Sequence, residues 1–422
     1  MEVTVSALSD VGRVRTNNED SLLADTTLGL YIVCDGMGGH AAGEVASATA
    51  CEVLQREVEG MSKLRERFVE SGKTSDAKAL RKALEAAVQS AGREIHKKAS
   101  RTPELTGMGT TCTVVLLIDQ NKAILAHVGD SRLYVLRGGK VYQLSEDHTY
   151  VNELVKRGAL SREQAKKHPQ GNVLSRALGV QPNVNVDTMV FDVDAGDTYL
   201  LCSDGLYNYF PAPDELAQRL DGTDLRSSVA DMIQTALSRG GHDNCTAVAM
   251  RVGGTPPPAE TAVAAQQRID ILKNIPLFAH LTYNELVQVL GLTQLGRIEP
   301  GGTFIREDEQ GDELYVVLAG EVDVVKSGHH LATLKAGAHL GEMALVDHAP
   351  RSATVTAKTA VNLLTMRREE FFGLIRSQPV IATKLLWSFV QALSGRLRQT
   401  NAALEGAQKD SGDFEIFVDE LE

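Results

Sequence analysis

Cysteine is scarce in this chain of 422 residues: five, at Cys34, Cys51, Cys112, Cys202 and Cys245, with no CxxC pair. That argues against a thiolate zinc site. An odd, scattered set in a long chain points to reduced thiols and a cytoplasmic location. Long hydrophobic runs are also missing. Stretches such as residues 114–118 fall far short of the ~20 residues a membrane helix needs, so no membrane partner is expected. Residues 1–10 lack the basic and apolar regions of a signal peptide. There is no long Lys/Arg cluster and the net charge is -12, which argues against nucleic acid as a partner. What is present is ordinary globular composition, 43% hydrophobic and 23% charged. The length suits two to three domains at ~100–200 residues each.

The strongest break is Gly253-Gly254-Thr255-Pro256-Pro257-Pro258-Ala259-Glu260, followed by alanine-rich chain. Consecutive prolines disfavour helix and hold a chain extended. The expected division is a first domain at 1–253, a linker at 254–267, a second domain at 268–404 and an acidic, disordered tail at 405–422. Before the linker, short apolar β-branched runs at residues 30–34, 111–118, 123–128, 133–136, 198–202 and 246–252 read as buried strands. Gly138-Gly139 reads as a hairpin turn. Helical patterns cover 44–58, 77–99, 149–157 and 225–239. The strands cluster rather than alternate with helices, so the fold class is α+β, with antiparallel sheets and helices packed outside. After the linker, helices at 266–273 and 284–292 precede short glycine-punctuated strands. That rhythm suggests a small β-roll (jelly-roll), with helices following at 368–376 and 381–404.

Chemistry-bearing residues gather in acidic motifs: Arg15-Thr16-Asn17-Asn18-Glu19-Asp20, Asp35-Gly36-Met37-Gly38-Gly39, Gly129-Asp130-Ser131-Arg132, Ser203-Asp204-Gly205 and His242-Asp243-Asn244. An Asp-Gly at a strand end projects its carboxylate into a cleft while the backbone turns. One such dipeptide alone is a plain turn. Several carboxylates at the tips of core strands would repel one another, and hard divalent ions relieve that by accepting oxygen ligands. Two such ions can acidify one water for attack on phosphorus.

The ordered motifs RxxNED, DGMGGHAAGE, GxTTC, HVGDSRLY, HPQGNVLSRALG, LLCSDGL and DNCTAV resemble the metal-dependent (type 2C) Ser/Thr protein phosphatases of bacterial type. The resemblance implies an αββα sandwich, a phosphoserine/phosphothreonine phosphatase and two, or three, Mn2+ or Mg2+ ions. It implies that Asp35 bridges two ions, that the Gly36 carbonyl binds one, and that Asp204 and Asp243 complete the other. Glu19 and Asp20 would act through bound waters, Asp130 would help hold a third ion, and Arg15 would grip the substrate phosphate. Eukaryotic relatives have His after the Asp-Gly, proposed as general acid; here Met37 stands there. His40 is read as structural. The polar segment 147–172, with Lys156, Arg157, Lys166, Lys167 and His168, matches a mobile flap that either meets phosphopeptide or is simply solvated. Cys34 and Cys202 read as packing residues, not nucleophiles.

In the second domain, Gly341-Glu342 opens a helical turn whose backbone N–H groups suit an anion. Arg351, nine residues on, can return a cation to it. With Met343, Ala344 and Ser352, the stretch resembles the phosphate-binding cassette of cyclic-nucleotide-binding domains. That implies Arg351 on the phosphate and Glu342 on a sugar hydroxyl. In many eukaryotic domains Ala after the Arg goes with cAMP and Ser or Thr with cGMP, while the bacterial catabolite activator has Ser and uses cAMP; cAMP is favoured. Trp387, Leu393 or Leu397 could cap the base, with a core-facing Trp387 the simpler expectation. The run Phe414-Glu415-Ile416-Phe417-Val418 reads as solvated, or as a strand that adds to a sheet edge. The reading is a protein phosphatase acting on phosphorylated proteins, with cyclic nucleotide as regulatory ligand. The alternative is a cyclic-nucleotide-binding scaffold whose phosphatase-like domain binds phosphoproteins without efficient turnover. A transcription factor is disfavoured, because too few residues follow the last long helix for a helix-turn-helix.

Overall fold

Central strands buried on both faces must be continuously apolar. The computed structural model of the chain, which describes residues 2–38, 42–118, 122–165, 167–254, 265–346 and 349–410, has a strand at each of the six apolar runs. The chain forms two compact units, Met1–Arg268 with Val287–Gly291, and Ile269–Leu286 with the chain from Leu292. The proline run expected to divide the domains falls on 255–264, outside the described residues.

The first unit holds two antiparallel sheets. One has the order Val3–Asp10, Cys245–Val252, Thr198–Cys202, Arg132–Arg137, Lys140–Gln143. The other has the order Asp20–Asp25, Leu30–Met37, Cys112–Leu117, Lys122–Val128, Asp187–Asp192, with Gly109–Thr110 also paired to Leu30–Met37. Side chains alternate across each strand. Leu30, Ile32 and Cys34 pack with Leu54, Leu84 and Ile95 of the helices Ala42–Glu59 and Thr74–Arg101. Leu200 and Ala247 pack with Leu216, Val229 and Ile233 of the helices Pro213–Leu220 and Leu225–Ser238. The opposite faces, carrying Tyr31, Val115, Leu125, Leu201 and Val248, are equally buried. Phe191 of one sheet meets Tyr199 of the other with ring centroids 5.6 Å apart. The architecture is therefore an αββα sandwich. Each fully buried Leu or Ile stabilises it by roughly 1.5–3 kcal/mol.

The second unit packs two four-stranded antiparallel sheets into a β-roll. Their orders are Gln294–Ile298, Val361–Arg367, Glu313–Ala319, His339–Leu340, and Thr303–Ile305, Thr354–Ala357, Glu321–Lys326, His329–Lys335. Val317, Val322, Val355 and Leu363 fill the interior. Helices flank the roll, and the last, Pro379–Asp410, differs from expectation twice. It continues through residues 405–410, expected to be disordered; 411–422, including the Phe414–Val418 stretch, lie outside the described residues. Trp387 does not face the core: it is 58% exposed. Ile381, Ala382, Leu385 and Phe389 already form the buried stripe, and at 100° per residue position 387 points away from it. No helix of the described residues is long and apolar enough to cross a membrane.

Candidate active site

The register that pairs Asp20 with Asp35 sets two carboxylates on neighbouring strands of one sheet. Asp204 opens the short helix that follows Thr198–Cys202, and Asp243 precedes the adjacent strand Cys245–Val252 in the other sheet. Asp130 lies in the turn between Lys122–Val128 and Arg132–Arg137, which joins the two sheets. The sheet ends thus converge. Arg15, Glu19, Asp35, Gly36, Asp130, Asp204 and Asp243 all line one cavity of about 1080 Å³. Asp20 is not among the lining residues; it is buried behind them, with Oδ2 accepting from the Ser203 hydroxyl at 2.8 Å.

The Asp-Gly at 35–36 is not at a strand end. The strand continues through Gly36 to Met37 and pairs with Thr110 and Gly109. The glycine is needed for close approach instead: a Cβ there would lie 2.1 Å from the Gly43 carbonyl oxygen and 2.5 Å from that of Glu19. Gly205 is as tightly confined, its Cβ position lying 1.9 Å from the Asn244 carbonyl oxygen. The absent side chain lets the Asp204 turn lie backbone to backbone against the Asp243 turn.

Polar side chains from other segments hold the acids. The Asn244 side chain accepts from the Glu19 N–H at 2.8 Å and donates to the Val11 and Asn17 carbonyls, both at 2.9 Å. The Thr111 hydroxyl accepts from the Asp35 N–H at 2.8 Å, and the Thr111 N–H donates to the Asp35 carbonyl at 2.8 Å. His148, fully buried, receives the Gly129 N–H on Nδ1 at 3.1 Å and meets Asp187 Oδ2 with Nε2 at 3.0 Å. These supports were not singled out from sequence, although Thr111, His148 and Asn244 sit inside or beside the motifs that were.

Burial and mutual repulsion act on the acids together. Burial pushes Asp20 up to about 7, helped by Asp204 and Asp243. Asp130 rises to about 7 through burial and Asp204, and Asp204 to about 6 through burial and Asp243. Asp35 rises well above the usual carboxylate range, through burial first and then Asp20, Asp204 and Asp130. Burial also raises Glu19. Asp20 Oδ1 is buried without a hydrogen-bond partner. Such an array suits a divalent cation, which repays both the repulsion and the desolvation. No three His, Cys, Asp or Glu side chains among the described residues close around one point. Mg2+-like ions keep several waters and need only one or two carboxylates each, so that spacing still fits them. Arg15 stands at the rim, 47% exposed, with Nη2 donating to Asp243 Oδ2 at 2.9 Å.

The expected flap is anchored at its base rather than mobile there. Asp147 accepts a bidentate pair from Arg132, and Ser175 N–H donates to the His148 carbonyl at 2.8 Å. Lys156 pairs with Glu146 at 3.1 Å, and Lys156, Arg157, Lys167 and His168 do not line the cavity. Gly39, His40 and Lys166 lie outside the described residues. All five cysteines are free and buried.

In the second unit, Gly341 (φ +75°), Glu342 and Arg351 come together. Arg351 donates from Nη2 to the Glu313 carbonyl at 2.9 Å and from Nη1 to that of Gly341 at 3.4 Å. Glu342 and Arg351 are 7% and 8% exposed. Met343 begins a short helix and is exposed, Ala344 is buried with its N–H donating to the Gly341 carbonyl, and Ser352 is exposed.

The family model for Protein phosphatase 2C matches residues 13–244, and that for the Cyclic nucleotide-binding domain matches 295–378. The Serine/threonine phosphatase stp of Listeria innocua is 39% identical over 242 residues, 56% of this chain and 91% of its own length. The solved serine/threonine phosphatase PstP/Ppp of Mycobacterium tuberculosis has a TM-score of 0.53 at 38% identity, covering 60% of this chain and 99% of its own. The catalytic domain of PstP, solved in complex with 2 manganese ions, has a TM-score of 0.51 at 37% identity, with coverage of 60% and 99%.

Proposed function

The chain belongs to the protein phosphatase 2C family, is a protein-serine/threonine phosphatase and carries a C-terminal cyclic nucleotide-binding domain, and from that premise we propose how its residues divide the work. Asp35, the Gly36 carbonyl, Asp204 and Asp243 would hold two divalent cations, Mn2+ or Mg2+. Glu19 and Asp20 would contribute through waters, and Asp130 would help hold a third ion. When bound, such ions lower the pKa of a coordinated water and neutralise charge on a phosphoryl group. The observation that carries this reading is the convergence of five acids from separate segments on one cavity, with Arg15 at its rim.

Arg15 orients the substrate phosphate, since a guanidinium offers a planar fork to two phosphate oxygens. Its contact with Asp243 fixes the side chain beside the cleft. Met37 lines the cavity and has no proton to donate, so it does not serve as general acid; a metal-bound water would serve, or no side-chain acid at all. The substrates are phosphorylated proteins. In the second unit, Arg351 and the backbone from Gly341 to Ala344 hold a cyclic-nucleotide phosphate. Glu342 accepts from a ribose hydroxyl, Ser352 lies beside them, and cAMP is favoured. Nucleotide regulates the phosphatase by binding two states of the chain with different affinity.

The test is hydrolysis of a phosphothreonine peptide with Mn2+, titrated with cAMP and cGMP. The expected result is turnover that needs Mn2+ and that changes in rate or KM with nucleotide, at lower concentration for cAMP. No turnover with any divalent ion removes the catalytic assignment. Rates and KM that ignore both nucleotides remove the regulatory one.

A further inference from the structure

The cavity lined by the acids is also lined by a second group of residues with a different chemistry. Asn172, Gln181, Asn183 and Asn185 line it, together with Val173 and Val180, which are 49% and 48% exposed. The four carboxamides are exposed and make no side-chain hydrogen bond to the described residues. A phosphoryl group with its cations fills a small part of about 1080 Å³, a volume at the upper end for ligand pockets.

This wall is not a loose loop. Leu178 is fully buried and exchanges both backbone hydrogen bonds with Thr110, at 2.9 and 3.1 Å. The Gly179 carbonyl meets His96 Nδ1 at 3.0 Å. Gln89, on the helix Thr74–Arg101, grips the Val184 backbone twice, its Nε2 donating to the carbonyl and its Oε1 accepting the N–H. Gln181 and Asn183 are thus presented from a chain fixed on both sides. Pre-organisation of this kind lowers the entropic cost of binding.

From this we propose that the carboxamide wall is a peptide subsite that reads the main chain beside the phosphorylated residue. A carboxamide carries one acceptor and two donors in the geometry of a peptide group, so it pairs with a passing backbone and is indifferent to charge on the flanking side chains. Val173 and Val180 supply apolar contact for one such side chain. The substrate class is therefore an extended phosphopeptide recognised through its backbone, not an acidic or basic consensus. The inference rests on the phosphatase reading.

The test compares a phosphothreonine peptide with p-nitrophenyl phosphate, which has no main chain, using the full-length chain with Mn2+. In Gln181→Ala and Asn183→Ala, the peptide-to-aryl ratio of kcat/KM is expected to fall about three- to tenfold each, through KM, as one lost hydrogen bond implies. N-methylating the peptide next to phosphothreonine is expected to lower kcat/KM in the wild type and to have less effect in the variant that lost the partner amide. An unchanged ratio, or N-methylation acting equally in all chains, overturns the subsite while leaving the phosphatase reading intact. A wild type that turns over neither substrate overturns both.

Discussion

His127 gives a measurable pH signature to the first unit. Its ring is completely buried, with Nδ1 3.0 Å from the Thr113 hydroxyl and Nε2 3.0 Å from the Glu146 carbonyl. Burial, and then the neighbouring His148, lower it from 6.5 to about 3. The native chain therefore refuses a proton that the unfolded chain accepts. Stability from this group is fully present above about 6.5 and is lost as pH falls from there toward about 3. Between about pH 8 and about pH 5 the loss integrates to about 2 kcal/mol. That figure hardly depends on the native value, because about 3 lies well below the window. Asp20, Asp130 and Asp204 are shifted the other way and slope oppositely, so the wild type alone cannot isolate His127. The measurement is urea unfolding of wild type and His127→Gln in chelator-containing buffer, read by hydrogen exchange on the strand Lys122–Val128. The variant is expected to be the less stable at high pH, and the gap is expected to shrink by about 2 kcal/mol on going to about pH 5. A gap independent of pH would refute the reasoning.

Four shorter expectations follow from the sites. Asp35→Asn should lower Mn2+-dependent turnover by more than about 100-fold, because changes to residues that merely orient metal ligands already cost ~10–100-fold; kinetics at saturating Mn2+ would show it. Gly205→Ala drives a Cβ to 1.9 Å from the Asn244 carbonyl, so the thermal midpoint and turnover should both fall, with a stability cost of about 1–3 kcal/mol. Arg15→Lys keeps the charge and loses the fork, so KM for a phosphopeptide should rise about tenfold, and unaltered KM would count against its phosphate role. Trp387 is the sole tryptophan and is exposed, so its fluorescence should report nucleotide titration in the wild type and fall silent in Arg351→Ala.

The strands that could be read from sequence are the central ones. Leu30–Met37, Cys112–Leu117, Lys122–Val128, Thr198–Cys202 and Cys245–Val252 have neighbours on both sides and burial on both faces, so their apolar runs are unbroken. Among the strands that went unread, Val3–Asp10, Asp20–Asp25, Lys140–Gln143 and Asp187–Asp192 are sheet edges. An edge strand tolerates polar and charged residues, and Asp20–Asp25 carries an acid at each end for reasons of chemistry and turn formation. The acids themselves were legible because chemistry fixes their type and their place beside a core strand. Gln89 was not: on its amphipathic helix it is one more polar position, and its partner, Val184, is 95 residues away.

The same contrast explains how the cleft keeps its shape. Acids crowded at the sheet ends gain nothing from one another and must be held by groups that are not acidic. Asn244 holds the loop before Asp20–Asp25 at three backbone points, Val11, Asn17 and Glu19, Thr111 brackets the Asp35 backbone, and Ser203 donates to Asp20 while accepting from the Thr246 N–H at 3.0 Å. Each tie spans strands or sheets, so the repulsion among the carboxylates is opposed by the whole sandwich rather than by any local turn. A divalent cation would then meet ligands already in position, and its binding energy would go into neutralising charge instead of ordering chain. Removing one of these neutral ties leaves every carboxylate in the sequence and still loosens the cleft. A motif match alone therefore cannot tell a competent site from a slack one.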